Sequence, residues 1–152
     1  MGLDMYLNRK QYIGANYEHH HITGTISLLA DGKSIPIDPK KIRYIEYEGV
    51  YWRKANQIHK WFVDNVQCGR DDCGTYEVNV KQLERLISLC KEVLADHSKA
   101  EELLPTQSGF FFGSSDYEGY YFEDLEQTVA DVTKLLSGLD PYSDELYYHS
   151  SW

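Results

Sequence analysis

Two stretches of this chain concentrate side chains able to hold a small polar ligand. The first runs from Tyr51 to Val66 and contains Trp52, Arg53, Asn56, His59 and Lys60. An indole stacks on a planar ring, and a guanidinium or an ammonium neutralises phosphate. A carboxamide and an imidazole read the edges of a base or a sugar. The second runs from Ser108 to Tyr121 and contains Ser114, Tyr117, Tyr120 and Tyr121 among three glycines. Its glycines admit a ligand close to the backbone, and a serine with free amides ahead of a helix suits an anion. Its tyrosines offer rings for stacking. Each cluster also has a plainer reading. His59 would cap the edge of the core, and Gly109 to Gly113 would be a core strand or turn before an ordinary helix start.

Neither the Gly-x-Gly-x-x-Gly nor the Walker pattern of nucleotide enzymes occurs. Ser114 and Ser115 lack the Gly-x-Ser-x-Gly elbow, and no nucleophile stands at motif spacing from a base. The sequence therefore indicates binding without turnover, and no catalytic residue is assigned. A metal-dependent hydrolase using Asp71 and Asp72, with Asp4 or His59 nearby, is the enzymatic alternative. Cys68 and Cys73 have a C-x4-C spacing that suits zinc poorly, Cys90 falls on an apolar stripe, and His19-His20-His21 is an adventitious metal binder at most. No metal and no cofactor is expected.

The elements that must carry these residues follow from hydrophobic periodicity. Leu3, Met5 and Leu7 alternate as a strand. Ile22 to Leu29 and Ser34 to Ile37 flank Asp31-Gly32 as a hairpin, and Ile42 to Val50 reads as a further strand. A helix is expected from Tyr51, with Tyr51, Ala55, Ile58, Phe62 and Val66 on its core face and Trp52, Asn56 and His59 along one flank. Thr75 to Val78 is a short strand. Asn79 and Gln82 have capping-box spacing at the start of a second helix. A helical turn ends at Pro105, and a third helix covers Asp116 to Ser137. The aromatic tail from Leu146 to Trp152 packs back on the rest. The fold expected is α+β in one domain, residues 1–152: a mostly antiparallel sheet of five to six strands with three helices on one face.

Composition narrows the partners. A formal net charge of −9 disfavours general nucleic-acid binding and suits either a soluble protein or one that docks on a basic surface. No apolar run approaches the ~20 residues of a membrane span, and the N-terminus has no signal-peptide pattern. A cytoplasmic protein with reduced thiols is expected. Tyr supplies 13 residues, and aromatic surface of this kind suits a ligand pocket, a protein interface or a homodimer.

Met1-Gly-Leu-Asp-Met-Tyr-Leu7, Tyr51 to Val66, the Asp71-Asp72-Cys73-Gly74 loop, Leu104-Pro105-Thr106 and Gly109 to Gly113 with the tyrosines after it resemble a family of small, uncharacterised phage and prophage proteins. The resemblance implies a viral protein acting in the host cytoplasm and carries over no catalytic residue. In that setting the two clusters suggest an anti-defence protein that sequesters a nucleotide-derived immune signal. Trp52, Arg53, Asn56, His59, Lys60, Ser114, Tyr117, Tyr120 and Tyr121 are the expected ligand contacts. The rivals are an acidic inhibitor of a host defence nuclease or effector and a hydrolase that destroys the signal.

Overall fold

The computed structural model describes residues 2–14 and 26–152. The His19-His21 run and the first half of the strand expected from Ile22 lie outside the described residues. The architecture is α+β, as expected: a four-stranded antiparallel sheet in the order β4 (Tyr44–Arg53), β1 (Asp4–Tyr12), β6 (Asp144–Ser151), β5 (Tyr76–Val78), a separate two-stranded hairpin, and helices packed on the sheet.

β1 (Asp4–Tyr12) is an inner strand, paired with β4 (Tyr44–Arg53) on one side and β6 (Asp144–Ser151) on the other. Leu3, Met5 and Leu7 point inward and are fully buried. β1 runs on to Tyr12, further than the turn-rich sequence after Leu7 suggests, because both neighbours continue the ladder there. The register with β4 slips between Leu7 and Asn8, opposite Gly49. A Cβ on Gly49 would stand 2.8 Å from the Leu7 carbonyl oxygen, so the bulge needs a residue without one. β6 is the aromatic tail, and it lies inside the sheet between β1 and β5 (Tyr76–Val78). Alternation places Leu146, Tyr148 and Ser150 inward, while the buried Asp144 carboxylate pairs with Arg9 at 2.7 Å.

β2 (Leu28–Ala30) and β3 (Lys33–Ile35) form the hairpin at Asp31-Gly32, where both residues have positive φ, 51° and 73°. That is the backbone of a primed turn, which follows the natural strand twist.

The first helix, α1 (Asn56–Asn65), starts five residues later than the sequence suggests. Tyr51, Trp52 and Arg53 belong to β4 instead. Val50 and Trp52 point inward at strand spacing, and the period changes at Lys54, whose φ is 60°. The Asn56 amide then donates to the Lys54 carbonyl at 2.9 Å around Ala55 (φ −76°, ψ 69°). This inverse γ-turn converts strand into helix without a glycine. The capping box of α2 (Val80–Ala95) is formed in full: Gln82 N donates to Asn79 Oδ1, and Asn79 N donates to Gln82 Oε1, each at 2.9 Å. Beyond α3 (Ala100–Leu103), α4 (Tyr120–Ser137) packs along α2 and against β4. Trp52, Phe62, Leu83, Leu86, Leu125, Val132 and Tyr148 fill the space between sheet and helices. No helix among the described residues is long and apolar enough to cross a membrane.

Candidate functional site

A cleft of about 510 Å³ opens where the end of β4, the first turn of α1 and the chain entering α4 meet. Arg53, Lys54 and Gln57 form one side. Gly113, Ser114, Asp116, Glu118, Gly119, Tyr120, Tyr121 and Asp124 form the other. Two features of the local sequence shape it. Lys54 holds a left-handed conformation, and Gly113 (φ 93°) packs against it so closely that a Cβ there would stand 3.0 Å from Lys54 Cβ and 3.1 Å from its carbonyl oxygen. Asn56 then fastens the opposite wall. Its Nδ2 donates to the carbonyls of Phe112 (3.1 Å) and Ser114 (2.8 Å), and its Oδ1 accepts from Gln107 N (3.0 Å).

The cleft brings together four of the nine expected contacts: Arg53, Ser114, Tyr120 and Tyr121. Arg53 is largely exposed and pairs loosely with Asp4 at 3.6 Å, which also accepts from the Tyr51 hydroxyl at 2.5 Å. That hydrogen bond raises the Tyr51 pKa. Ser114 Oγ donates to Asp116 Oδ2 at 2.9 Å. Tyr120 is 82 % exposed at the mouth. Tyr121 faces the cleft with little of its surface: it is 4 % exposed, and its hydroxyl donates to the Leu104 carbonyl at 2.9 Å. Its ring is enclosed and offers no stacking face, while burial pushes its hydroxyl well above the usual tyrosine range.

The other five stand elsewhere. Trp52 is 1 % exposed, stacks at a tilt on Phe62 and donates its Nε1–H to Thr128 Oγ1 at 2.9 Å. As an inward-facing β4 residue it belongs to the core, not to a ligand surface. Asn56, 1 % exposed, spends all its polar capacity on the loop it fastens. Lys60 lies on the outer face of α1 in an i,i+4 pair with Asp64, at 2.8 Å. Tyr117 contacts Tyr121 edge-on and accepts from the Thr106 amide at 3.3 Å.

His59 is the most heavily engaged. Its ring is fully buried, with Nδ1 2.7 Å from the Tyr148 hydroxyl and Nε2 3.1 Å from Asp71 Oδ1. Desolvation lowers its pKa against the opposing pull of Asp71. In the neutral ring, Nε2–H donates to Asp71 and Nδ1 accepts from Tyr148. The order Tyr-His-Asp has the form of a proton relay, but Tyr148 is 0 % exposed and no substrate can reach its oxygen. The relay is structural. Asp71 also accepts from Trp152 Nε1 at 3.0 Å and Gln107 Nε2 at 3.3 Å, so one carboxylate ties the 67–74 loop to α1, to the segment after α3 and to the end of the chain. Its neighbour Asp72 accepts from the Gly74 amide and the Tyr76 hydroxyl, which lower its pKa. Among the described residues no group of three His, Cys, Asp or Glu side chains is placed to hold a metal. Asp71→Ala strands the buried His59 Nε2–H and releases Gln107 and Trp152, and should cost about 1–3 kcal/mol, read as a lower denaturation midpoint with loss of the Trp152 near-ultraviolet signal. A cost below about 0.5 kcal/mol would show that the carboxylate is no hub.

Comparison with known proteins yields no relative. No family model matches the chain, and neither a curated protein nor a solved structure matches it. The reading of the site therefore rests on its own geometry.

Sequence reasoning missed Lys54, Gln57 and Asp124. A signal existed for the last: Tyr121, Leu125, Thr128 and Val132 mark the buried face of α4, and Asp124 stands at the edge of that face. Burial raises its pKa from 3.8 to about 6, only partly offset by the hydrogen bond from Gln57. A carboxyl perturbed by desolvation in a cleft is a recognised mark of a functional position.

Proposed function

We propose that the protein binds a small nucleotide-derived anion in the cleft beside Arg53 and sequesters it. The observation that carries this reading is the pairing, across one hollow, of two cations from the β4–α1 corner with a ligand-accessible tyrosine at the start of α4. Arg53 and Lys54 suit phosphate oxygens, and Tyr120 suits the face of a base. The volume falls in the range of small-molecule sites. The relay Tyr148-His59-Asp71 has its tyrosine and imidazole buried, and none of its three members lines the cleft, which favours capture over turnover. In the phage setting that the sequence resembles, such capture would remove a host immune signal.

Calorimetry against cyclic dinucleotides, cyclic mononucleotides and ADP-ribose derivatives tests it. Binding is expected with at least one class, and Arg53→Ala should weaken it about tenfold to hundredfold, the worth of a charged hydrogen bond. Absence of heat with every class, or binding indifferent to Arg53, overturns the reading.

A second reading has its own support. Phe110 is 84 % exposed and Phe111 47 %, beside a surface of net charge −9. An acidic inhibitor of a basic host effector would present such a patch. Binding to that effector would weaken with salt and with Phe110→Ser, and would survive Arg53→Ala.

A further inference from the structure

The floor of the cleft carries two hydrogen-bond acceptors that the protein itself leaves open. Gln57 is 2 % exposed, and its Nε2 donates both to the Tyr121 carbonyl at 3.4 Å and to Asp124 Oδ2 at 3.1 Å. Those two acceptors fix the orientation of the amide, since turning it over would set oxygen against oxygen. Gln57 Oε1 and Asp124 Oδ1 accept no hydrogen bond among the described residues, yet neither atom is sealed from solvent. Among the described residues no cation pairs with Asp124 either, although Arg53 and Lys54 line the same hollow. A half-buried carboxyl and a buried amide, joined by a hydrogen bond and both lining the cleft, ask for a ligand with adjacent N–H donors.

We propose that Gln57 and Asp124 read the N1–H and N2–H edge of a guanine base, making the ligand of this cleft a guanine-bearing cyclic phosphodiester. This inference rests on the nucleotide-binding reading above and adds the identity of the base. Guanine presents two neighbouring donors on its Watson–Crick edge. Adenine presents one amino group beside an unprotonated ring nitrogen, which would face the Asp124 carboxylate or the Gln57 oxygen without a proton between them. Arg53 and Lys54, which line the same cleft, ask for an anion attached to the same molecule, which argues against a bare guanidinium or amidine. The carboxylates of Asp116 and Glu118 on the same walls, within a chain of net charge −9, oppose a heavily charged triphosphate and tolerate a singly charged phosphodiester.

Calorimetry near neutral pH with cyclic 3′,5′-GMP and cyclic di-GMP, with their adenine counterparts, with cyclic 3′,5′-IMP and with GTP separates the possibilities. The guanine ligands should bind roughly tenfold to hundredfold more tightly than the adenine ones. The inosine ligand, which lacks the N2 amino group, should lose a similar factor. Asp124→Asn converts one acceptor into a donor. It should abolish the guanine preference and turn the cleft toward cyclic 3′,5′-XMP, whose C2 oxygen accepts where guanine donates. That gain of binding cannot come from a misfolded variant. Equal affinity for guanine and adenine ligands overturns the base assignment while leaving anion capture in the cleft standing, and tighter binding of agmatine, a dication, than of any nucleotide overturns both. Failure of every nucleotide overturns both.

Discussion

Trp52→Ala should lower the free energy of unfolding by about 3–5 kcal/mol, close to the whole stability of many domains. The indole is fully enclosed between sheet and helices, with its ring on Phe62 of α1 and its N–H on Thr128 of α4. Truncation removes the apolar volume and also strands the Thr128 hydroxyl, whose own proton is committed to the Asp124 carbonyl at 2.6 Å. Thr128→Val isolates the polar part. It keeps the shape and removes the acceptor, so it should cost about 1–3 kcal/mol, the penalty of a buried unpaired N–H. Urea unfolding of the two variants measures both quantities. If Trp52→Ala cost less than about 1.5 kcal/mol, the indole would not be a core side chain and its assignment to the ligand surface would return.

The gap between sequence and structure is concentrated at this residue. Trp52 lies in a segment where strand and helix periods overlap: Tyr51, Ala55, Ile58 and Phe62 fit a helical stripe, while Val50 and Trp52 fit an alternating strand. Helical periodicity is correct from Ala55 onward. What settles the preceding residues is pairing with β1, in which Asp4 opposes Arg53 and Met5 opposes Trp52. Such a contact spans about fifty residues and leaves no local trace. The same cause hides β6. Its alternating Leu146, Tyr148 and Ser150 are ordinary for a strand, but only the ladders to β1 and β5 place it inside the sheet. Signals contained within a few residues were legible: the Asp31-Gly32 turn, the Asn79–Gln82 capping box and the apolar stripes of α2 and α4.

The site divides along the same line. Arg53, Ser114 and Tyr120 are polar or aromatic residues at element ends, and they line the cleft whichever element is thought to carry them. Asn56 and His59 fit a ligand wall by chemical type alone. Their partners, Phe112, Ser114 and Gln107 for one and Tyr148 and Asp71 for the other, come from distant segments and use up every polar atom. Residue type shows what a side chain is able to bind, and only the fold shows whether that capacity has already been taken. By this criterion Gln57 and Asp124, less conspicuous in sequence, are the more informative pair because part of their capacity is still open.

Asp124 and His59 should also impose opposite pH dependences on stability, and Asp124→Asn should expose the difference. His59 has its pKa lowered from 6.5 by burial, so the unfolded chain takes up a proton first as the pH falls. Its contribution is present above about pH 6.5 and is lost on acidification. Asp124 has its pKa raised from 3.8 to about 6, so here the folded state holds the proton first. Its contribution is full below pH 3.8 and is lost as the pH rises through about 6. A displacement of that size is worth up to about 3 kcal/mol. Across mildly acidic pH the two contributions therefore oppose each other, one climbing where the other declines. Asparagine keeps an acceptor for Gln57 Nε2 and does not ionise. The variant should melt several degrees higher than wild type above about pH 7 and gain nothing near about pH 4. Its stability should then climb with pH along the slope left by His59. A uniform gain at both extremes would mean that burial does not penalise the Asp124 carboxylate. A gain confined to neutral and alkaline pH, accompanied by loss of guanine affinity in the same variant, would mean that the charge which costs the fold stability is the one that holds the ligand.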